Sequence, residues 1–278
     1  MHSSIATASG AARPNEDFVA ITDSVALVLD GATTPGFLDT GCKHGTRWFA
    51  RALGAEIFIR TSADSERGLA ECLAEAIAAL AERHATTCDI SHPGHPSATV
   101  ALLKESADEY QYLVLGDSTV ALETAAGMKV LTDTRLDEVA TDFHHALMAA
   151  EHGTPEHAAA FGDLTTALRQ HRNRPGGFWI AAVDPGAAYQ AVAGSVARSE
   201  VRSAAVLSDG ASIVADRFQT HSWDRVFEIL GTHGPARLID EVRATELSDP
   251  EGQRWPRGKI HDDATVAYCR PQQPEVVS

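Results

Sequence analysis

The chain has 278 residues, 44% of them hydrophobic and 22% charged, so neither a disordered segment nor a fibrous repeat fits and a sizeable core can form. Acidic residues outnumber basic ones by 38 to 23, a net charge of −15, which argues against a nucleic-acid or anionic-membrane partner because both need a basic footprint. Cys42, Cys72, Cys88 and Cys269 stand far apart with no C-x-x-C spacing, so neither a disulfide framework nor a zinc ribbon is suggested. The first residues lack a basic stretch followed by an apolar one, and no apolar run nears the ~18 residues needed to span a bilayer. A cytoplasmic protein with reduced thiols is expected.

Residues 17–31, DFVAITDSVALVLDG, read as two short β-rich runs joined by a polar Thr22-Asp23-Ser24 turn, the second ending at Asp30-Gly31. Apolar residues at helical spacing over 41–54 (Trp48, Phe49, Leu53) and 65–87 (Leu69, Leu73, Ile77, Leu80) predict two amphipathic helices. Strands are predicted at 98–104, 110–115 and 119–123, broken between the last two by Gly116-Asp117-Ser118, and together they read as an antiparallel meander. Helical periodicity returns at 136–150 and 155–172. The turn-rich stretch from Arg172 to Gly177 is not a domain boundary, because strand-like runs resume at 178–182, 189–193 and 201–207. Helices at 223–230 and 235–246 and a last strand at 264–269 precede a short polar tail at 271–278. Strands grouped in meanders with helices in pairs predict an α+β fold rather than a doubly wound sheet.

Four acidic motifs fall where a strand meets a loop: Glu16-Asp17, Asp30-Gly31, Asp209-Gly210 and Asp262-Asp263. Each alone is an ordinary turn pair. Together they say more, because apolar β runs lead into Asp30 (VALVLDG) and Asp209 (AAVLSDG) and out of Asp17 (DFVAI) and Asp262 (DDATVAY). Neighbouring strands can then gather the carboxylates at one rim. Such a cluster, with a backbone carbonyl and no convergent His/Cys set, suits Mg²⁺ or Mn²⁺ rather than Zn²⁺. Two such ions about 3.5–4 Å apart acidify a shared water and neutralise phosphoryl oxygens, so phosphoester hydrolysis is the natural reaction. Arg13, four residues before Asp17, is the nearest cation for the phosphate.

The ordered motifs RPNEDF (13–18), LVLDGA (27–32), HPSATVALL (95–103), LVLGDSTVAL (113–122), AAVLSDGAS (204–212) and KIHDDATVAY (259–268) resemble the metal-dependent serine/threonine phosphatases of the protein phosphatase 2C type, bacterial members included. The resemblance spans most of the chain and implies one phosphatase domain over 1–278. It implies a four-layer α-β-β-α sandwich, two mostly antiparallel sheets flanked by helix pairs, with a binuclear Mg²⁺ or Mn²⁺ centre at one end and a third, weaker ion. By position, Asp30 looks like the carboxylate that bridges both ions, the Gly31 carbonyl binds one of them, and Asp209 and Asp262 complete the other's shell. Asp17 and Glu16 match an acidic pair that binds metal-held waters, and Asp117 matches an accessory acid for the third ion, with Glu16 a second accessory position. Asp263 reads as a neighbour rather than a ligand.

The sequence departs from the family pattern in two places. The family's phosphate-binding arginine lies five residues before the acid of the ED pair, whereas Arg13 lies four before Asp17. The metal loop reads Asp30-Gly31-Ala32-Thr33-Thr34-Pro35-Gly36, so the histidine that many members offer as general acid is absent, a group worth roughly 10²–10⁴-fold in rate. A phosphorylated protein is the expected substrate; a small phosphorylated metabolite, or a catalytically weak pseudophosphatase serving as a binding module, are the alternatives. Direct attack of water without a covalent phosphoenzyme is the expected route. His92-Pro93-Gly94-His95 reads as a loop, adjacent His144 and His145 as unsuited to shared ligation, and Arg254, Arg257 and Lys259 as a basic loop that could meet substrate phosphate.

Overall fold

The computed structural model describes residues 1–10, 13–63 and 67–271. In chain order its strands are β1 (His2–Ala8), β2 (Phe18–Ile21), β3 (Val25–Gly31), β4 (Ala98–Glu105), β5 (Glu109–Leu115), β6 (Thr119–Thr124), β7 (Gly127–Leu131), β8 (Val192–Ala197), β9 (Val201–Leu207) and β10 (Ala264–Arg270). Its helices are α1 (Thr46–Ala63), α2 (Leu69–Ala85), α3 (Thr141–Ala149), α4 (Pro155–His171), α5 (Asp209–Asp216), α6 (Trp223–His233) and α7 (Pro235–Leu247). One sheet runs β1-β10-β9-β6-β7 and the other β2-β3-β4-β5-β8, every pairing antiparallel. No helix among the described residues is long and apolar enough to cross a membrane.

The two-residue period of the strands builds the layers. In β3, Val25, Leu27 and Leu29 face α1 and α2, meeting Leu53, Ile57, Leu73 and Ile77, while Ala26 and Val28 point the other way onto Val206 and Ala267 of the opposing sheet. In β9, Ala205 and Leu207 pack under α5, α6 and α7 against Val214, Leu230 and Leu238. Three apolar interfaces therefore separate four layers, α-β-β-α. Strands buried on both faces carry apolar residues at every position, which is why VALVL reads as an unbroken run. Each fully buried leucine side chain contributes about 1.5–3 kcal/mol, so the sheet interior is the main source of stability.

Several expected boundaries move. The stretch 98–123 is not one meander: β4 and β5 pair with each other, but β6 pairs with β7 and β9 in the second sheet. Gly116-Asp117-Ser118 carries the chain between sheets, and Gly116 takes φ +81° where a Cβ would lie 2.8 Å from Thr99 Cγ2. The first helix begins at Thr46 and runs on to Ala63, and the second begins at Leu69; part of the predicted start of that second helix, 65–66, lies outside the described residues. Over 136–150 the helix is interrupted at Ala140 (φ 53°), leaving a 3-10 turn, Thr134–Glu138, before α3. Residues 178–182 form only isolated bridges, Ala181 pairing with Ala98 at the start of β4 through two backbone hydrogen bonds (2.9 and 3.1 Å) on the edge turned away from β3. At 189–193 the strand begins only at Val192, because Asp184 caps a 3-10 turn, Pro185–Gln190, by accepting from the Gly186 N–H at 2.8 Å.

Candidate metal centre

Both sheets end their central strands at the same rim, and each acid is delivered there by a different element. Asp30 is the penultimate residue of β3, opposite Thr99 of β4. Asp209 opens α5 directly after β9, where the helix N-terminus favours a negative side chain. Asp262 sits in the loop before β10, its carbonyl accepting from the Arg243 guanidinium of α7 at 2.6 Å. Asp117 lies in the crossover from β5 to β6. A cavity of about 200 Å³ is lined by Asp30, Gly31, Asp117, Asp209, Asp262 and Lys259, and its far wall comes from Phe161, Leu164 and Leu168 of α4.

Asp17 stands behind this cavity, buried and pinned by a chain of hydrogen bonds. Its N–H donates to Asn15 Oδ1 (2.8 Å), whose amide donates to Thr7 Oγ1 (2.8 Å). The Ser208 hydroxyl receives the Thr265 N–H (2.9 Å) and donates to Asp17 Oδ2 at 3.0 Å, which fixes the direction of its proton. Asp17 Oδ1 is left without a partner, as is Asp209 Oδ1, and both atoms are shielded from solvent. Buried orphan oxygens are costly and call for a ligand.

Electrostatically the cluster is frustrated. Burial, reinforced by Asp17, Asp209 and Asp262, pushes the Asp30 carboxyl well above the usual carboxylate range, and it hydrogen-bonds to Asp209. Burial also drives Asp17 and Asp117 up to about 7. Asp262 is raised by burial and by Asp209, against the pull of Lys259. Burial would raise Asp209 as well, but the bond from Asp30 and the charges of Arg217 and Lys259 hold it below its ordinary value. Lys259 Nζ grips both Asp262 oxygens, at 2.6 and 2.8 Å, and donates to Thr33 Oγ1 at 3.2 Å.

The remaining sequence-predicted residues divide. Gly31 must be glycine: a Cβ there would lie 2.7 Å from Thr46 Cγ2 and 2.8 Å from the Glu16 carbonyl. Glu16 stands at the rim, accepting from Thr33 Oγ1 at 2.7 Å. Arg13 is exposed and donates to that same Thr33 hydroxyl at 3.2 Å, outside the acid cavity. Asp263 spends its two oxygens on the Gly10 and Glu16 N–H groups, both at 2.8 Å, and so ties the 10–16 loop to β10. Of the basic loop only Lys259 reaches the site. Arg257 is buried and donates to the Glu246, Trp255, Ile260 and Asp249 carbonyls, while Arg254 lies over the Trp255 ring at 4.3 Å, which removes both as phosphate contacts.

Sequence reasoning missed the other cations. Arg169 and Arg172 line the cavity, the first donating to the Asp39 carbonyl (3.0 Å) and the second to those of Pro93 (2.6 Å) and His95 (2.9 Å), and Arg217 lies 4.0 Å from Asp117. They come from helices or helix ends, where a surface cation looks the same as a site cation. No histidine lines the cavity among the described residues. The cysteines also differ from the expected scatter: Cys42 and Cys88 converge with His84 away from the acid cavity.

The donor set fits a hard divalent ion. Carboxylates from five separate segments, two orphan buried oxygens and a glycine carbonyl suit Mg²⁺ or Mn²⁺, and the upward displacement of four of the acids is the cost of packing them together in a buried site. Lys259 supplies part of the missing positive charge.

A family model described as Protein phosphatase 2C matches residues 8–243, and the chain belongs to that family, whose members are Mg²⁺- or Mn²⁺-dependent phosphoprotein phosphatases. Among solved structures it is similar to the serine/threonine phosphatase PstP/Ppp of Mycobacterium tuberculosis (14% identity, 98% of this chain and 99% of that one, TM-score 0.55). Stp1 of Staphylococcus aureus is similar too (13%, 98% and 95%, 0.55), as is PppA of Pseudomonas aeruginosa (12%, 97% and 96%, 0.54). At these identities the likeness speaks for the fold. No curated protein matches the chain by sequence.

Proposed function

We propose that the carboxylate cavity is the reaction centre of this phosphatase and that it acts on phosphoserine or phosphothreonine in proteins. In this reading Asp30, the Gly31 carbonyl, Asp209 and Asp262 would hold two divalent ions, with Asp117 an accessory acid. The observation that carries it is the pair of orphan buried oxygens, Asp17 Oδ1 and Asp209 Oδ1, within converging carboxylates. A PstP catalytic domain, 15% identical with a TM-score of 0.53, was solved with two manganese ions, which supports the count. Bound there, such ions supply a water acidified enough to attack phosphorus and positive charge for the phosphoryl oxygens.

The chain's own groups do the rest. Asp17, with Ser208 fixing Oδ2, offers Oδ1 to orient and deprotonate the attacking water. Lys259, the ammonium in the cavity, meets the phosphoryl oxygens, and Arg13 at the rim steers the phosphate inward without gripping it. The place of the family histidine is taken by Ala32 and Lys259 holds its own proton tightly, so the leaving oxygen draws its proton from solvent, and turnover is slow on alkyl phosphates. The four thiols are free, which suits a reducing compartment such as the cytoplasm.

The test is phosphate release from a phosphothreonine peptide, with and without Mn²⁺, for the wild type and Asp209→Asn. Ion-dependent release that drops about 10²–10³-fold in the variant is expected. Equal release from both, or release indifferent to the ion, contradicts the assignment.

A further inference from the structure

We propose that Cys42, Cys88 and His84 form a second metal site, of sulfur and nitrogen donors, that takes a tetrahedral, borderline-soft ion of the Zn²⁺ class. Their three ligand atoms lie within 4.8 Å of one another, and Cys42 Sγ is 3.1 Å from His84 Nε2. Ligands on tetrahedral zinc, at about 2.3 Å for sulfur and 2.0–2.1 Å for nitrogen, stand roughly 3.5–3.8 Å apart, so modest side-chain rotation admits the ion.

The surroundings are those of a ligand set rather than of loose thiols. His95 Nδ1 lies 2.8 Å from the Pro96 carbonyl, which can only accept, so that nitrogen carries the proton. His95 Nε2 then accepts, at 2.8 Å, from His84 Nδ1–H. In this neutral pair the lone pair of His84 falls on Nε2, the atom that faces Cys42. Buried relays of this kind hold metal-binding imidazoles in the required tautomer and orientation. Backbone N–H groups of Lys43 and His44 donate to Cys88 Sγ (3.4 Å) and Cys42 Sγ (3.3 Å); burial still raises the Cys42 thiol, so the ion that binds there displaces its proton. The backbone fixes the approach independently: the Asp89 N–H donates to the Gly41 carbonyl at 2.9 Å, bringing the Cys42 loop onto the end of α2. Three protein ligands leave a fourth position for water.

This site is separate from the carboxylate centre in both place and chemistry, and it does not depend on the roles given to those acids. Its ion would staple the 32–45 loop, whose Thr33 and Thr34 line the acid cavity, to the C-terminal end of α2. The ion thus acts as a clamp on the loop that follows Asp30.

Titration of reduced, chelator-stripped protein with Co²⁺, a spectroscopic stand-in for Zn²⁺, tests this directly. One equivalent is expected to give intense sulfur-to-cobalt absorption that Zn²⁺ displaces. Cys42→Ser and Cys88→Ser each weaken Co²⁺ binding by more than about 100-fold, whereas His95→Ala weakens it about 10–100-fold with the band retained. Asp209→Asn leaves the band unchanged, and cooperative thermal melts show that each variant is folded. The proposal is overturned if the reduced wild type gives no such band, if the band survives both serine substitutions, or if mass spectrometry finds Cys42 and Cys88 disulfide-linked in protein kept under reductant.

Discussion

Lys259 is the residue on which the metal-free cluster turns. Its ammonium holds both oxygens of Asp262, and Asp262, Asp30 and Asp209 all raise its affinity for the proton despite burial. An ion that uses Asp262 must therefore compete with this lysine. Lys259→Met should lower the metal-free melting temperature, because it leaves buried acids without a counter-charge, yet enlarge the stabilisation that Mn²⁺ gives. Scanning calorimetry with and without Mn²⁺ checks both signs; an unchanged Mn²⁺ shift would remove Lys259 from the competition. The acids were legible in sequence because apolar strands run straight into or out of them. Lys259's grip on Asp262, and the presence of Arg169, Arg172 and Arg217, were not, since nothing local distinguishes a cation that folds back on a site from one that faces water. Cys42 and Cys88 were illegible for a related reason: 46 positions apart, they meet only because α1 and α2 pack as a hairpin.

At the scale of elements, the crossover Gly116-Asp117-Ser118 joins the two sheets and places an acid at their shared rim. Gly116→Ala forces a side chain into φ +81° and against Thr99, and a loss of about 1–2 kcal/mol is expected in urea denaturation. A neutral result would mean that the crossover relaxes freely. The central strands β3, β4 and β9 were readable to within a residue because burial on both faces gives each an unbroken apolar run, Val25–Leu29, Val100–Leu103 and Ala204–Leu207. β1 was not, since HSSIATA is half exposed and mostly small and polar, and β7 is a short edge strand. The assignment of β6 to the second sheet was beyond sequence, because its alternation is the same whichever sheet it joins. Residues 178–182 have strand composition but serve mainly as a bridge to the start of β4, with Phe178 and Ile180 lining the cavity.

For the whole molecule, the end of the sandwich opposite the crossover is tied by Glu105. Burial alone would raise its carboxyl, but hydrogen bonds from the Met1 amine (2.9 Å) and Tyr110 hydroxyl (2.8 Å), with the Arg198 guanidinium (2.9 Å), hold it below the ordinary 4.5. A carboxyl lowered in the folded state contributes stability that is complete above its unfolded value and is lost as pH falls through its folded value. Glu105→Gln should therefore cost about 1–2 kcal/mol at pH 7, and the deficit should close in acid, once the pH has fallen below 4.5 and through the lowered folded value. Denaturation curves at the two pH values decide it; a deficit that persists in acid would assign the effect to packing. One end of the sandwich is thus satisfied with its charges paired, while the other keeps carboxylates that lack enough cations. That asymmetry, more than any single residue, is what the proposed reaction centre rests on.

The most direct measurement is anomalous scattering from crystals soaked in Mn²⁺. Two peaks about 3.5–4 Å apart, with Asp30 between them and Asp209 and Asp262 on one, are expected. Crystals that bind Mn²⁺ elsewhere, or that leave Asp262 on Lys259 with no peak among the carboxylates at saturating ion, would contradict the account.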